Sequence, residues 1–218
     1  MSKITTTGYS ILALLAIRPL STYELAQRMK LSFLRAIWPR AESQIYAEPK
    51  RLVREGLASS KSEPRGDRPR TVYRITRKGR GALRRWLREP STRFRYQSEA
   101  LVKIAFVDRG DREDLLRNIE AMRSEALDDA RIYLEVAERV IRDGPQVPEQ
   151  AHLSALVDEF IVEIIESRLR WARFAEVFSR QWAEPVGSEA TAAQAAAWWK
   201  TTAERLRTLV EEERARVA

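Results

Sequence analysis

The sequence predicts a mainly α-helical chain in two parts: a small head of three helices and a two-stranded β wing, followed by an all-α half. Three observations carry this. Apolar residues recur at helical spacing over most of the 218 positions. One stretch near residue 70 switches to a period of two between proline and glycine breaks. Charge is unevenly shared: residues 1–90 hold 20 Lys and Arg against 7 Asp and Glu, whereas residues 91–218 hold 19 against 24.

Thr7 to Ile17 reads as a first helix whose Ile11, Leu12, Leu14, Leu15 and Ile17 demand burial nearly all round. Arg18-Pro19-Leu20 breaks it. Ser21, with Glu24 three residues on, has the spacing of a capping box and opens a second helix, Thr22 to Lys30. Residues 31–40 connect it to Ala41–Leu57, the stretch most suited to enter a DNA groove. There Ile45, Leu52 and Val53 face a core, while Ser43, Gln44, Tyr46, Lys50, Arg51 and Arg54 supply polar, aromatic and basic groups. Ser43 is the expected N-cap and Gly56 the expected left-handed stop. Pro49 predicts a kink, or a helix whose regular part starts near it. Three short helices so spaced suit a helix-turn-helix.

Leu57 to Glu63 and Thr71 to Ile75 then form two strands around the basic turn Pro64 to Arg70. Thr76 caps a helix to about Arg88, with Leu83, Trp86 and Leu87 inward, and Glu89-Pro90-Ser91 marks a domain boundary. The rest reads as helices: a short one from Gln97 to Val107, long ones at Asp111–Arg142 and Gln150–Gln181, and a last one that Ser188 caps after the turn Glu184–Gly187. Two helices of about thirty residues reach roughly 45 Å each, more than a compact module of this size covers alone. Their apolar stripes therefore predict a homodimer through the C-terminal half, against the alternative of an intramolecular bundle.

A basic head fits a polyanion partner, through phosphate neutralisation and counterion release; a solvated basic surface is the alternative. At the leading end of the third helix, Ser43, Gln44 and Tyr46 reach base edges, with Gln suited to adenine and Tyr to a phosphate or a thymine methyl. Lys50 and Arg51 suit backbone phosphates, and Arg65, Arg68 and Arg70 lie along the wing, in a minor groove or on its phosphates. Tyr23 has two equal readings, a phosphate hydrogen bond or simple packing. Arg77, Lys78, Arg84, Arg85 and Arg88 are expected to be mostly a solvated face.

Catalysis finds little support. The single histidine, His152, has no assignable partner, no metal-ligand spacing or phosphate loop occurs, and there are no cysteines, so thiolate metal sites and disulfides are excluded. No cofactor and no metal are expected. No membrane span is expected either, nor a signal peptide at the N-terminus, and the expected location is the cytoplasm. Trp38, Trp171, Trp182, Trp198, Trp199 and Tyr133 are candidates to line a site for a flat aromatic molecule, although tryptophans at helical spacing more often serve as core or dimer contacts.

Residues 8–90 resemble the PadR family of bacterial winged-helix transcriptional regulators. The resemblance rests on the apolar first helix, Tyr23-Glu24-Leu25, Ser43-Gln44-Ile45-Tyr46 followed by Lys50-Arg51-Leu52 and Glu55-Gly56-Leu57, the Gly/Pro/Arg wing, and Tyr73-Arg74-Ile75-Thr76 leading to Gly79. The chain departs from it in having Thr22 where Gly is frequent and Pro49 where Leu is common. The resemblance implies a long-form member: a winged-helix DNA-binding domain at 1–90 and a helical dimerisation and possible effector-binding domain at 91–218. It implies a repressor binding a pseudo-palindromic operator as a homodimer, with phenolic acids or hydrophobic drugs as the kind of effector. The alternative is a winged-helix module that binds another protein without reading DNA.

Overall fold

The computed structural model describes residues 4–64, 69–180, 182 and 189–217. Helix α1 (Thr6–Ile17) begins where the Thr5 side chain accepts from the Gly8 N–H. Its Ile11, Leu12 and Leu15 are almost fully buried and form the centre of the head. A two-residue strand β1 (Leu20–Ser21) leads into α2 (Thr22–Lys30) through the capping box expected of Ser21 and Glu24. The Glu24 carboxylate accepts from both the backbone N–H and the hydroxyl of Ser21 at 2.8 Å. A single turn, α3 (Leu34–Ile37), buries no side chain and precedes α4 (Glu42–Arg54).

Helix α4 departs from the sequence reading at its start. Its N-cap is Ala41, with no side-chain hydrogen bond, so Ser43 lies in the first turn and does not cap. Pro49 lies inside it, so the helix does not begin near the proline, and the proline ring is fully buried. The lost backbone hydrogen bond is offset by apolar area removed from water on the core side. Gly56 ends the helix at φ 70°, as a left-handed stop requires.

Strands β2 (Ala58–Glu63) and β3 (Arg70–Ile75) pair antiparallel from Ala58 with Ile75 to Glu63 with Arg70. These two strands make the expected wing, and a third, β1, joins the other edge of β3, Leu20 opposite Tyr73, giving the sheet order β1-β3-β2. Helix α5 (Arg77–Arg88) starts on the Thr76 cap and packs on α1, where Tyr9 and Trp86 stack with centroids 4.7 Å apart. Leu83 is buried as expected, but Leu87 is exposed, because the inward arc of α5 is taken by Gly79, Ala82, Leu83 and Trp86.

Beyond it come α6 (Glu99–Ala105), a 3-10 turn at Val107–Arg109, α7 (Arg112–Asp143), α8 (Ala151–Ser179) and α9 (Glu189–Val217). The turn Glu184–Gly187 and the Ser188 cap lie outside the described residues. The chain forms two compact units, Met1–Arg95 with Glu135–Val162, and Tyr96–Leu134 with Glu163–Ala218. In the second, Leu115 and Ile119 of α7 and Ala172 of α8 make a core joined by Ile104, Val107, Trp171 and Trp182. Arg168 of α8 bridges Asp129 at 2.6 Å and Glu125 at 3.0 Å. No described helix is long and apolar enough to cross a membrane.

Candidate nucleic-acid interface

Helix α4 turns Ile45, Pro49 and Leu52 into the head and leaves Ser43, Gln44, Tyr46, Ala47, Lys50 and Arg54 exposed. Ser43, Ala47, Lys50 and Arg54 follow the i, i+4, i+7, i+11 series, so they form one outward row, with Tyr46 on one flank and Gln44 on the other. Arg54 belongs to this row although it was counted only among the basic groups of the helix; the same spacing that marks the inner face would have placed it. Tyr23, on α2, is 60% exposed, so its hydroxyl is not committed to the core.

The two other described arginines of the expected site are paired with carboxylates of the head. Arg51 donates through Nε to Glu48 at 3.0 Å and through a terminal nitrogen to Glu55 at 3.1 Å. Glu48 in turn accepts from the Thr5 hydroxyl at 2.9 Å, which ties the start of α1 to the middle of α4. The hydrogen bond to Glu48 and the neighbouring carboxylates outweigh partial burial and hold the Arg51 cation even more firmly than usual. Arg70 lies 3.6 Å from Glu63 and 3.8 Å from Glu24, joining the wing to α2. Burial pushes the Glu24 carboxyl up, but hydrogen bonds from Ser21 and the nearby Arg18 together bring it below its ordinary value. Arg65 and Arg68 lie outside the described residues.

The approach to α4 is fixed by one hydroxyl. Thr7 Oγ1, on α1, accepts from Trp38 Nε1 at 3.1 Å and from Arg40 Nε at 3.3 Å. The Arg40 guanidinium lies 4.2 Å from the centre of the Trp38 ring. Behind this arrangement is a cavity of about 220 Å³ lined by Met29, Leu34, Trp38 and Ile45 among others. The remaining candidate aromatics do not form one site: Trp171 and Trp182 pack on the α7–α8 core, while Trp198 and Trp199 meet each other edge to face at 5.2 Å. His152 is exposed, and no group of three or more metal-ligating side chains occurs among the described residues.

Residues 11–85 match the transcriptional regulator PadR-like family, and residues 96–177 match the virulence activator alpha C-terminal family. No curated protein matches the chain. Among solved structures, Bacillus subtilis PadR in complex with operator DNA shares 22% identity at a TM-score of 0.68, over 80% of this chain and 99% of that one. The same Bacillus protein with p-coumaric acid gives 22% and 0.63, over 81% and 99%. The Vibrio cholerae virulence activator AphA gives 19% and 0.62, over 78% and 95%. At these identities the likeness is one of fold: a winged helix followed by an all-helical half. The chain is thus built from a domain of the transcriptional regulator PadR-like family at residues 11–85, joined to a virulence activator alpha C-terminal domain at residues 96–177.

Proposed function

We propose that the protein is a sequence-specific DNA-binding transcriptional regulator, a repressor that binds a pseudo-palindromic operator as a homodimer. The observation that carries this is the outward row of α4, which is polar and basic on a helix whose opposite side is anchored in the head by Ile45, Pro49 and Leu52. Such a helix offers side chains to a groove without disturbing its own support. The roles follow from position. Ser43, Gln44 and Tyr46 at the leading end read base edges, Lys50 and Arg54 meet phosphates, and Tyr23 adds a phosphate contact from α2. Arg51 and Arg70 reach phosphates only by giving up carboxylate partners, and Arg65 and Arg68 supply the wing contacts.

The dimer is supported by the apolar side chains that the long helices leave exposed in a single chain, including Leu156 at 72%, Phe160, Trp199 and Leu206. The release of DNA by a small aromatic ligand is supported by the Bacillus neighbour with p-coumaric acid. It would act by binding more tightly to a dimer geometry whose heads no longer match the half-site spacing. The non-enzymatic reading is in keeping with a family of transcriptional regulators.

Selection of bound duplexes from a random pool tests the proposal. An inverted repeat is the expected result, and its half-site spacing reports the separation of the two reading helices. Recovery of no preferred sequence, with binding that follows salt alone, would favour the protein-interaction module instead.

A further inference from the structure

Helix α5 carries Arg77, Arg80, Arg84, Arg85 and Arg88 within twelve residues and no acidic residue. Arg77, Arg80, Arg84 and Arg88 are spaced i, i+3, i+7, i+11, so they share one face, opposite the buried Gly79, Ala82 and Leu83. All five arginines are exposed, and among the described residues none makes an ion pair or a side-chain hydrogen bond. By contrast, four other arginines of the head, Arg18, Arg51, Arg70 and Arg74, meet carboxylates. Like charges at these helical spacings oppose helix formation, so the row is an uncompensated feature of the isolated chain.

Its location separates it from the reading helix. Lys78 Nζ donates to the Glu55 carbonyl at 2.7 Å, which sets the start of α5 at the trailing end of α4. Ser43 and Gln44 sit at the other end of that helix, roughly 15–20 Å away along its axis. The arginine face is therefore a second basic surface, not an extension of the first.

We propose that the outward face of α5 binds the phosphate backbone of nucleic acid outside the segment that α4 reads. The inference rests on the DNA-binding reading of the head. Four guanidinium groups are strung along about 16 Å of helix axis. One strand of a duplex offers a phosphate every ~3.4 Å of its own axis, so the row is matched to four or five of them. The choice of arginine at five of the six cationic positions favours phosphate, because its planar fork donates two parallel hydrogen bonds where lysine acts as a point charge.

The test uses the full chain and a long random-sequence duplex, with binding measured from about 50 to 200 mM salt. It compares the wild type with the variant Arg77→Gln, Arg80→Gln, Arg84→Gln, Arg88→Gln, since glutamine keeps helix propensity and removes the charge. The expected result is a salt slope shallower by about 3–4 in the variant, so that its loss of affinity over this range is roughly 100-fold smaller. Its thermal midpoint should be unchanged or higher, because repulsion along the helix is relieved. Equal slopes for a wild type that does bind would overturn the proposal and leave the reading helix untouched, whereas a wild type that binds no duplex at any salt would remove both. A lower thermal midpoint in the variant would make the row structural. Poly-L-glutamate that binds the wild type and not the variant, with equal duplex slopes, would overturn nucleic acid in favour of an acidic polypeptide.

Discussion

Lys50 and Arg51 are neighbours in sequence with opposite circumstances. Lys50 is exposed and free to meet a phosphate, while Arg51 is held between Glu48 and Glu55. Lys50→Ala should weaken duplex binding uniformly across sequences, lower the salt slope by about 1 and leave stability unchanged. Arg51→Ala should instead lower stability by about 1–3 kcal/mol, because two half-buried carboxylates lose their partner, and thermal unfolding reads the difference. Gln44→Ala should cost about 1–3 kcal/mol at particular base pairs and little at others, which a panel of mutated duplexes in gel shifts would show. Glu24 gives a pH signature. Its folded carboxyl lies below its ordinary value of 4.5, so its contribution is complete above that value and is lost as the pH falls through the folded one. Glu24→Gln should therefore flatten the acid limb of a stability curve measured between about pH 3 and 6. The pairing of Arg51 was legible, since Glu48, Arg51 and Glu55 stand at i, i+3 and i+7. The role of Arg70 was not, because its partner Glu24 comes from a helix 46 residues away.

Among the elements, helices with strong periodicity and caps were read to within a residue or two: α2 from its capping box, α5 from Thr76, and α1 from its apolar run. Strand β1 escaped because two residues have no period, and it exists only through pairing with Tyr73 and Val72 of β3. Ser43 looked like a cap because serine is a good one, but the chain enters α4 in extended geometry at Ala41, two residues earlier. A helix starting near Pro49 was one of the two readings because propensity speaks only of the backbone; the burial of the ring against the core is a tertiary effect. The joint between wing and α5 is the tightest of these. Thr76 Oγ1 donates toward the carbonyls of Gly56 and Leu57 at 2.8 and 3.1 Å, and a Cβ on Gly79 would come within 2.1 Å of the Leu57 carbonyl oxygen. Gly79→Ala should consequently destabilise the head by several kcal/mol, about 3 or more, as seen for overpacked or strained sites. Chemical unfolding followed by tryptophan fluorescence would check it, and a change below about 0.5 kcal/mol would mean the joint can open.

At the scale of the whole molecule, the sequence showed where charge and long helices lie, and it could not show which apolar residues remain uncovered. Apolar spacings of four and three in the sequence pick out Leu115, Ile119, Met122, Ala126, Tyr133, Val136 and Val140 in α7, of which the first four are buried and Val140 is exposed; in α8 they pick out Leu153, Phe160 and Phe174 among others, and these three are exposed, with Ile161, Ile165 and Ala172 buried in their place. That rotation of the inner face leaves apolar area exposed, where the proposed dimer would cover it. Leu206→Glu combined with Val210→Glu, on exposed positions of α9, should shift sedimentation toward the monomer and weaken binding to a two-half-site duplex by more than about tenfold, while a single half-site is bound as before. The make-up of the two compact units has a practical corollary. The unit that holds the winged helix also takes in Glu135–Val162, and Phe94 meets Phe160 edge to face at 5.8 Å within it. The polypeptide leaves that unit and returns to it, so no single cut frees the head with all its neighbours. A chimera that grafts this winged helix onto a foreign helical half would need the distal stretch of α7 and α8 that belongs to its unit as well, and one joined only at residue 90 should melt at a lower temperature than its parent.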